Sequence, residues 1–135
     1  MYNVIVADDE KNIREGIVEL IEWEKLGCKV CASMQNGAQV LKYLEEEKIH
    51  VDIIITDIKM PIMDGMELIG MLNERFPDIK VIILTAYSDF TYAQQAIKFQ
   101  VSDFVVKNDF FLELPRAVKK IIEQCEVDAK KCVGR

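Results

Sequence analysis

Val51-Asp-Ile-Ile-Ile-Thr56 carries three consecutive isoleucines and runs straight into Asp57. A strand with one wet face alternates apolar and polar residues. This run does not alternate, so both of its faces must be covered. Strands of a parallel sheet packed between two helical layers read in this way. Val81-Ile-Ile-Leu84 has the same character. Three further short runs, Asn3–Ala7, Cys28–Ser33 and Asp103–Val106, complete a set of expected strands.

The segments between them have helical spacing. Ile13, Ile17, Leu20 and Ile21 form one stripe, with Glu15, Glu19 and Glu22 largely off it. Asn36-Gly37 opens a second helix, with Val40, Leu41 and Leu44 inward. Asp64-Gly65 opens a third, with Met66, Ile69 and Leu72 inward. Ser88-Asp89 caps a fourth, which carries Tyr92, Ala93, Ala96 and Ile97. A fifth is expected from about Phe111 to Gln124, with Leu114, Val118, Ile121 and Cys125 as its stripe and Pro115 in its first turn. Strict strand–helix alternation with right-handed crossovers gives an α/β fold: a single doubly wound five-stranded parallel sheet with helices on both faces.

The chain has 135 residues, the size of one domain. Half of it is hydrophobic and 30% is charged, which excludes disorder as a description of the whole. Its net charge of -6 makes it a poor holder of phosphate backbones. No apolar run reaches the roughly 20 residues of a membrane helix. Met1 to Ala7 lacks the basic flank of a signal peptide, so a cytoplasmic location with reduced cysteines is expected.

In an open doubly wound sheet, ligands bind beyond the carboxyl ends of the strands. The first expected strand ends at Asp8-Asp9-Glu10, the third at Thr56-Asp57, the fourth at Leu84-Thr85-Ala86 and the fifth at Val106-Lys107. Carboxylates, a hydroxyl and an ammonium therefore converge on one rim. Clustered carboxylates resist joint ionisation, and a hard divalent cation such as Mg²⁺ relieves this. A carboxylate beside Mg²⁺ can attack phosphorus and form an aspartyl phosphate. Lys107 and Thr85 could each hold an equatorial phosphoryl oxygen.

The set Val-Ala-Asp8-Asp9-Glu10, Thr56-Asp57-Ile-Lys-Met60-Pro61-Ile-Met-Asp64-Gly65, Leu84-Thr85-Ala86 and Phe104-Val-Val-Lys107 resembles the receiver domain of two-component response regulators. The match runs from Val4 to about Gln124. The resemblance implies a flavodoxin-like strand order 2-1-3-4-5. It implies Asp57 as phosphoacceptor, and Mg²⁺ held by Asp9, Asp57 and the backbone carbonyl of Lys59, with Asp8 helping directly or through water. Thr85 and Phe104 match the switch pair, and Lys107 the phosphate-binding lysine. A sensor histidine kinase is the implied donor. The surface of the fourth helix, fifth strand and fifth helix is the implied switching and homodimer face. No enzyme activity is implied beyond self-phosphorylation and self-dephosphorylation at Asp57.

Arg14-Glu-Gly-Ile, Trp23-Glu-Lys-Leu-Gly27 and Tyr87-Ser-Asp-Phe-Thr-Tyr-Ala93 look like receivers joined to AraC-type, YesN-like DNA-binding domains. On this reading residues 1–125 are the receiver, and 126–135 are a helix end or linker toward an output domain outside this chain. DNA is then met only through that domain. A stand-alone receiver, a phosphate-independent binding module and an aspartyl-phosphate phosphatase are the alternatives. The last lacks room for a cap, and Lys59 stands where its acid/base carboxylate should be.

The family usually has Pro after this lysine, commonly through a cis bond, whereas this chain has Asn108. Cis before a non-proline residue costs about 3–4 kcal/mol, so a trans Lys107–Asn108 bond is expected, with Lys107 still reaching the site. Cys28-Lys-Val-Cys31 has the C-x-x-C spacing of metal and redox sites. In a strand, residues three apart face opposite sides, which speaks against that use. His50 lies in a polar turn and is expected to be solvated.

Overall fold

The computed structural model describes residues 1–47, 49–86 and 101–133. Its strands are β1 (Tyr2–Ala7), β2 (Cys28–Met34), β3 (Ile53–Asp57), β4 (Lys80–Thr85) and β5 (Asp103–Val106). They form one sheet in the order β2-β1-β3-β4-β5, and every neighbouring pair is parallel. Helices α1 (Lys11–Leu20), α2 (Gly37–Glu46) and α3 (Gly65–Arg75) follow the first three strands, and a C-terminal helix spans Phe110–Val133. The expected helix from Ser88, with Tyr92, Ala93, Ala96 and Ile97, lies outside the described residues.

Two apolar cores sandwich the sheet. Val4, Val6, Ile53, Ile55, Ile82 and Leu84 face Ile17 of α1 and Leu114 and Val118 of the C-terminal helix. Ile5, Ala7, Ile54, Val81 and Ile83 face Val40 and Leu41 of α2 and Leu68, Ile69 and Leu72 of α3. Adjacent residues of each strand thus enter different cores, which is why the runs are continuously apolar. Side-chain caps start α2 and α3: Asn36 Oδ1 accepts from Gln39 N at 2.9 Å, and Asp64 Oδ1 accepts from Glu67 N at 2.8 Å.

Four local expectations change. Leu20 is exposed, because α1 stops there and Trp23, in a 3-10 turn at Trp23–Leu26, fills the space instead. The Trp23 indole N–H donates to the Ile17 carbonyl at 3.0 Å. In α3, Leu68 is fully buried and Met66 only partly. The C-terminal helix begins at Phe110, so Pro115 lies beyond its first turn. The same helix passes Gln124 and reaches Val133. No Gly or Pro interrupts residues 125–133, and Gln124 Nε2 donates to Asp128 Oδ1 at 3.1 Å one turn on.

Cys28 enters one core, while Cys31 packs against the other. Cys31 is the extra residue where the β1–β2 register shifts, between the pairs Val4–Val30 and Ile5–Ala32. The C-x-x-C pair is therefore split across the sheet.

Candidate functional site

The chain leaves β1 for β2 on one side and crosses to β3 on the other. The sheet therefore has its switch of direction between β1 and β3, which pair as far as Ala7 and Thr56. Asp8 and Asp57 are the next residues, so they flank the crevice where such folds bind ligands. Thr85 ends β4 beside Val106 of β5, and Lys107 follows directly.

The centre of the site is the Lys107 ammonium. It donates to Asp57 Oδ2 at 2.8 Å, to Glu10 Oε1 at 3.1 Å and to Asp8 Oδ1 at 3.3 Å. The Lys107–Asn108 bond is trans, as expected, and the side chain reaches Asp57 from it. Asp8, Asp57, Thr85 and Lys107 are all buried, whereas Asp9 is exposed. Burial raises the Asp8 carboxyl to about 6; the Asp57 charge adds to this, while the Glu10 N–H and Lys107 oppose it. Burial also raises Asp57, against the pull of Lys107. For Lys107 burial alone would lower the ammonium. The hydrogen bonds to Asp57 and Glu10 and the charges of Asp8 and Asp57 outweigh it and lift the group above its ordinary value.

Asp57 is anchored on both oxygens, since Oδ1 accepts from Ile58 N at 2.7 Å. The loop after it is held by Gly65, whose N–H donates to the Ile58 carbonyl at 2.7 Å. A Cβ at Gly65 would collide with the Asp57 carbonyl oxygen, so only glycine fits under this strand end. Arg14 Nη1 donates to the Asp8 carbonyl at 2.7 Å and ties the first acidic loop to α1.

The Thr85 hydroxyl donates to the Ala86 carbonyl at 3.0 Å. Phe104 is half-buried against the α2–α3 core. Lys59 is exposed two residues beyond Asp57. Carboxylate oxygens of Asp8, Asp9 and Glu10 lie within 4.8 Å of one another. Glu10 is the site residue that sequence reasoning left without a role. Its place after Asp8-Asp9 was visible, but its contact with Lys107, 97 residues away, was not.

A family model described as the response regulator receiver domain matches residues 4–119 of the chain. This chain belongs to that family. The receiver domain is 38% identical to the transcriptional regulatory protein YesN of Bacillus subtilis over 107 residues, 79% of this chain and 28% of YesN. Its backbone matches the REC domain of AraT, a response regulator from Geobacillus stearothermophilus, with a TM-score of 0.80. That match has 37% identity and covers 93% of this chain and 98% of the other. A two-component transcriptional regulator AraC from Clostridium phytofermentans matches with a TM-score of 0.78 and 31% identity, over 91% of this receiver domain and 94% of that chain. This receiver domain spans between 28% and 49% of the length of the first curated relatives. Among the described residues no helix is long and apolar enough to cross a membrane.

Proposed function

We propose that this receiver domain accepts a phosphoryl group on Asp57 from a sensor histidine kinase and uses it to switch an attached output. The supporting observation is the Asp57 carboxylate itself. It is buried at the switch point of the sheet, with one oxygen 2.8 Å from a buried ammonium and the other on a backbone N–H. An Asp57 oxygen attacks phosphorus, the P–N bond to the donor histidine breaks, and the electron pair stays on the imidazole nitrogen. Lys107 keeps its proton throughout and supplies positive charge to a phosphoryl oxygen.

The donor set fits Mg²⁺. Asp8 Oδ2 is buried and makes no hydrogen bond, although Lys107 Nζ lies 3.1 Å from it. An all-oxygen acidic set with one buried oxygen that lacks a hydrogen bond suits a hard cation. Asp8, Asp9, Asp57 and the Lys59 carbonyl would hold it. When bound, Mg²⁺ neutralises the carboxylates and the incoming phosphoryl oxygens.

Thr85 and Phe104 are the switch pair in this reading. The Thr85 hydroxyl, now on the Ala86 carbonyl, turns to a phosphoryl oxygen, and Phe104 moves into the space released. The added charge of about -1.5 to -2 biases an existing two-state surface rather than building a new one. That surface includes β5 and the C-terminal helix and is the proposed homodimer face. Residues 1–125 form the receiver, and the helix beyond Cys125 leads toward an AraC-type output domain that meets DNA. The protein works in the cytoplasm.

Intact mass after incubation with acetyl phosphate and Mg²⁺, beside Asp57→Asn, tests the reading. One phosphoryl adduct, absent in the variant and absent without Mg²⁺, is expected. No adduct on the wild type, or an equal adduct on Asp57→Asn, overturns it.

A further inference from the structure

Glu10 stands at the N-cap of α1, where a carboxylate favours the helix dipole, yet its side chain makes no capping hydrogen bond. It turns instead to Lys107, with Oε1 3.1 Å from Nζ. An ammonium has three protons to give. Here Asp57, Glu10 and Asp8 each accept one of its hydrogen bonds, so Lys107 has no donor left for a phosphoryl oxygen. One carboxylate must let go before the lysine can serve the phosphoryl group.

The three are not equal. The Asp8 and Asp57 side chains are 0% and 6% exposed, while that of Glu10 is 60% exposed. Water can replace Lys107 as a partner for Glu10 at little cost, and solvent screens that pair. The Asp8 and Asp57 carboxylates, at 0% and 6% exposure, have no water to take its place. We infer that Glu10 is a latch on Lys107: its carboxylate accepts the ammonium hydrogen bond that a phosphoryl oxygen on Asp57 must accept, and it gives up that hydrogen bond when the phosphoryl group arrives. This rests on the phosphoacceptor reading. Glu10 is accordingly a positioning residue that acts through Lys107.

A latch needs reach as well as charge, which separates it from simple repulsion of an anionic donor. Glu10→Gln removes the charge. Glu10→Asp keeps the charge but is one methylene shorter. Labelling rates of the two variants and the wild type are measured by intact mass, with acetyl phosphate at saturating Mg²⁺. Both variants are expected to label about two- to five-fold faster than wild type, the size of a partly screened ion pair. Acceleration in Glu10→Gln alone would mean charge repulsion and overturn the latch. Unchanged or slower labelling in both would overturn it too, slower labelling pointing to a metal-binding role for Glu10. A wild type that takes no label removes the phosphoacceptor reading and the latch with it. A labelled wild type with unresponsive variants removes the latch alone.

Discussion

Strand β3 buries two kinds of residue equally well. Ile53, Ile54 and Ile55 are 0–1% exposed, and Thr56 and Asp57, next along the same strand, are 0% and 4% exposed. The energetics are opposite. Each isoleucine contributes roughly 1.5–3 kcal/mol by leaving water. A carboxylate loses solvation at the same depth and is tolerable only with a partner. The middle of the sheet stabilises the fold, and its carboxyl edge draws on that stability to hold charge out of water. The edge is therefore where a bound cation or phosphoryl group can change the energy most.

Three substitutions sharpen this contrast, in falling order of effect. Ile54→Ala opens a hole between β3 and the α2–α3 layer, where Ile54 is fully buried. A loss of about 2–5 kcal/mol is expected in a urea titration. A loss below 1 kcal/mol would show that this core can collapse around the gap.

Asp8→Asn should act in the other direction. The folded Asp8 carboxyl is pushed up to about 6 from 3.8, so the folded state binds more protons than the unfolded one between those values. Metal-free wild type should therefore lose stability as pH rises from about 4 to 6, and keep that loss above it. Asp8→Asn removes the Asp8 share of the slope, leaving that of Asp57, and gains on the order of 1–3 kcal/mol at pH 7, read from urea midpoints across that range. A destabilised variant with an unchanged slope would refute the assignment of cost to Asp8. Mg²⁺ should raise the wild-type midpoint at pH 7 and move the variant less.

Ile62 offers the smallest effect. It is exposed in the loop after β3 with a φ of 68°, a left-handed conformation that a β-branched residue resists. Ile62→Asn should stabilise by about 0.5–1 kcal/mol, seen as a higher melting temperature. A lower one would mean that Ile62 makes contacts worth more than its strain.

The legible parts of this fold were those written in neighbouring residues. The unalternating isoleucines of β3 announced a sheet covered on both faces. Asn36-Gly37 and Asp64-Gly65 marked helix starts that the side-chain caps bear out. Leu20 misled because a helical stripe says nothing of where the helix stops or of Trp23 arriving to cover the core. The end at Gln124 misled because residues 125–133 hold no helix breaker.

The site divides in the same way. By itself the sequence determined the order of elements and the residue type at each strand end, because period, caps and turns act over a few positions. Only the tertiary structure decided that Lys107 joins Asp57, 50 residues away, and Asp8, 99 residues away, and that Glu10 joins them. Pairing of charges and loss of water depend on what the sheet order brings together. Neither is a property of any short stretch of chain.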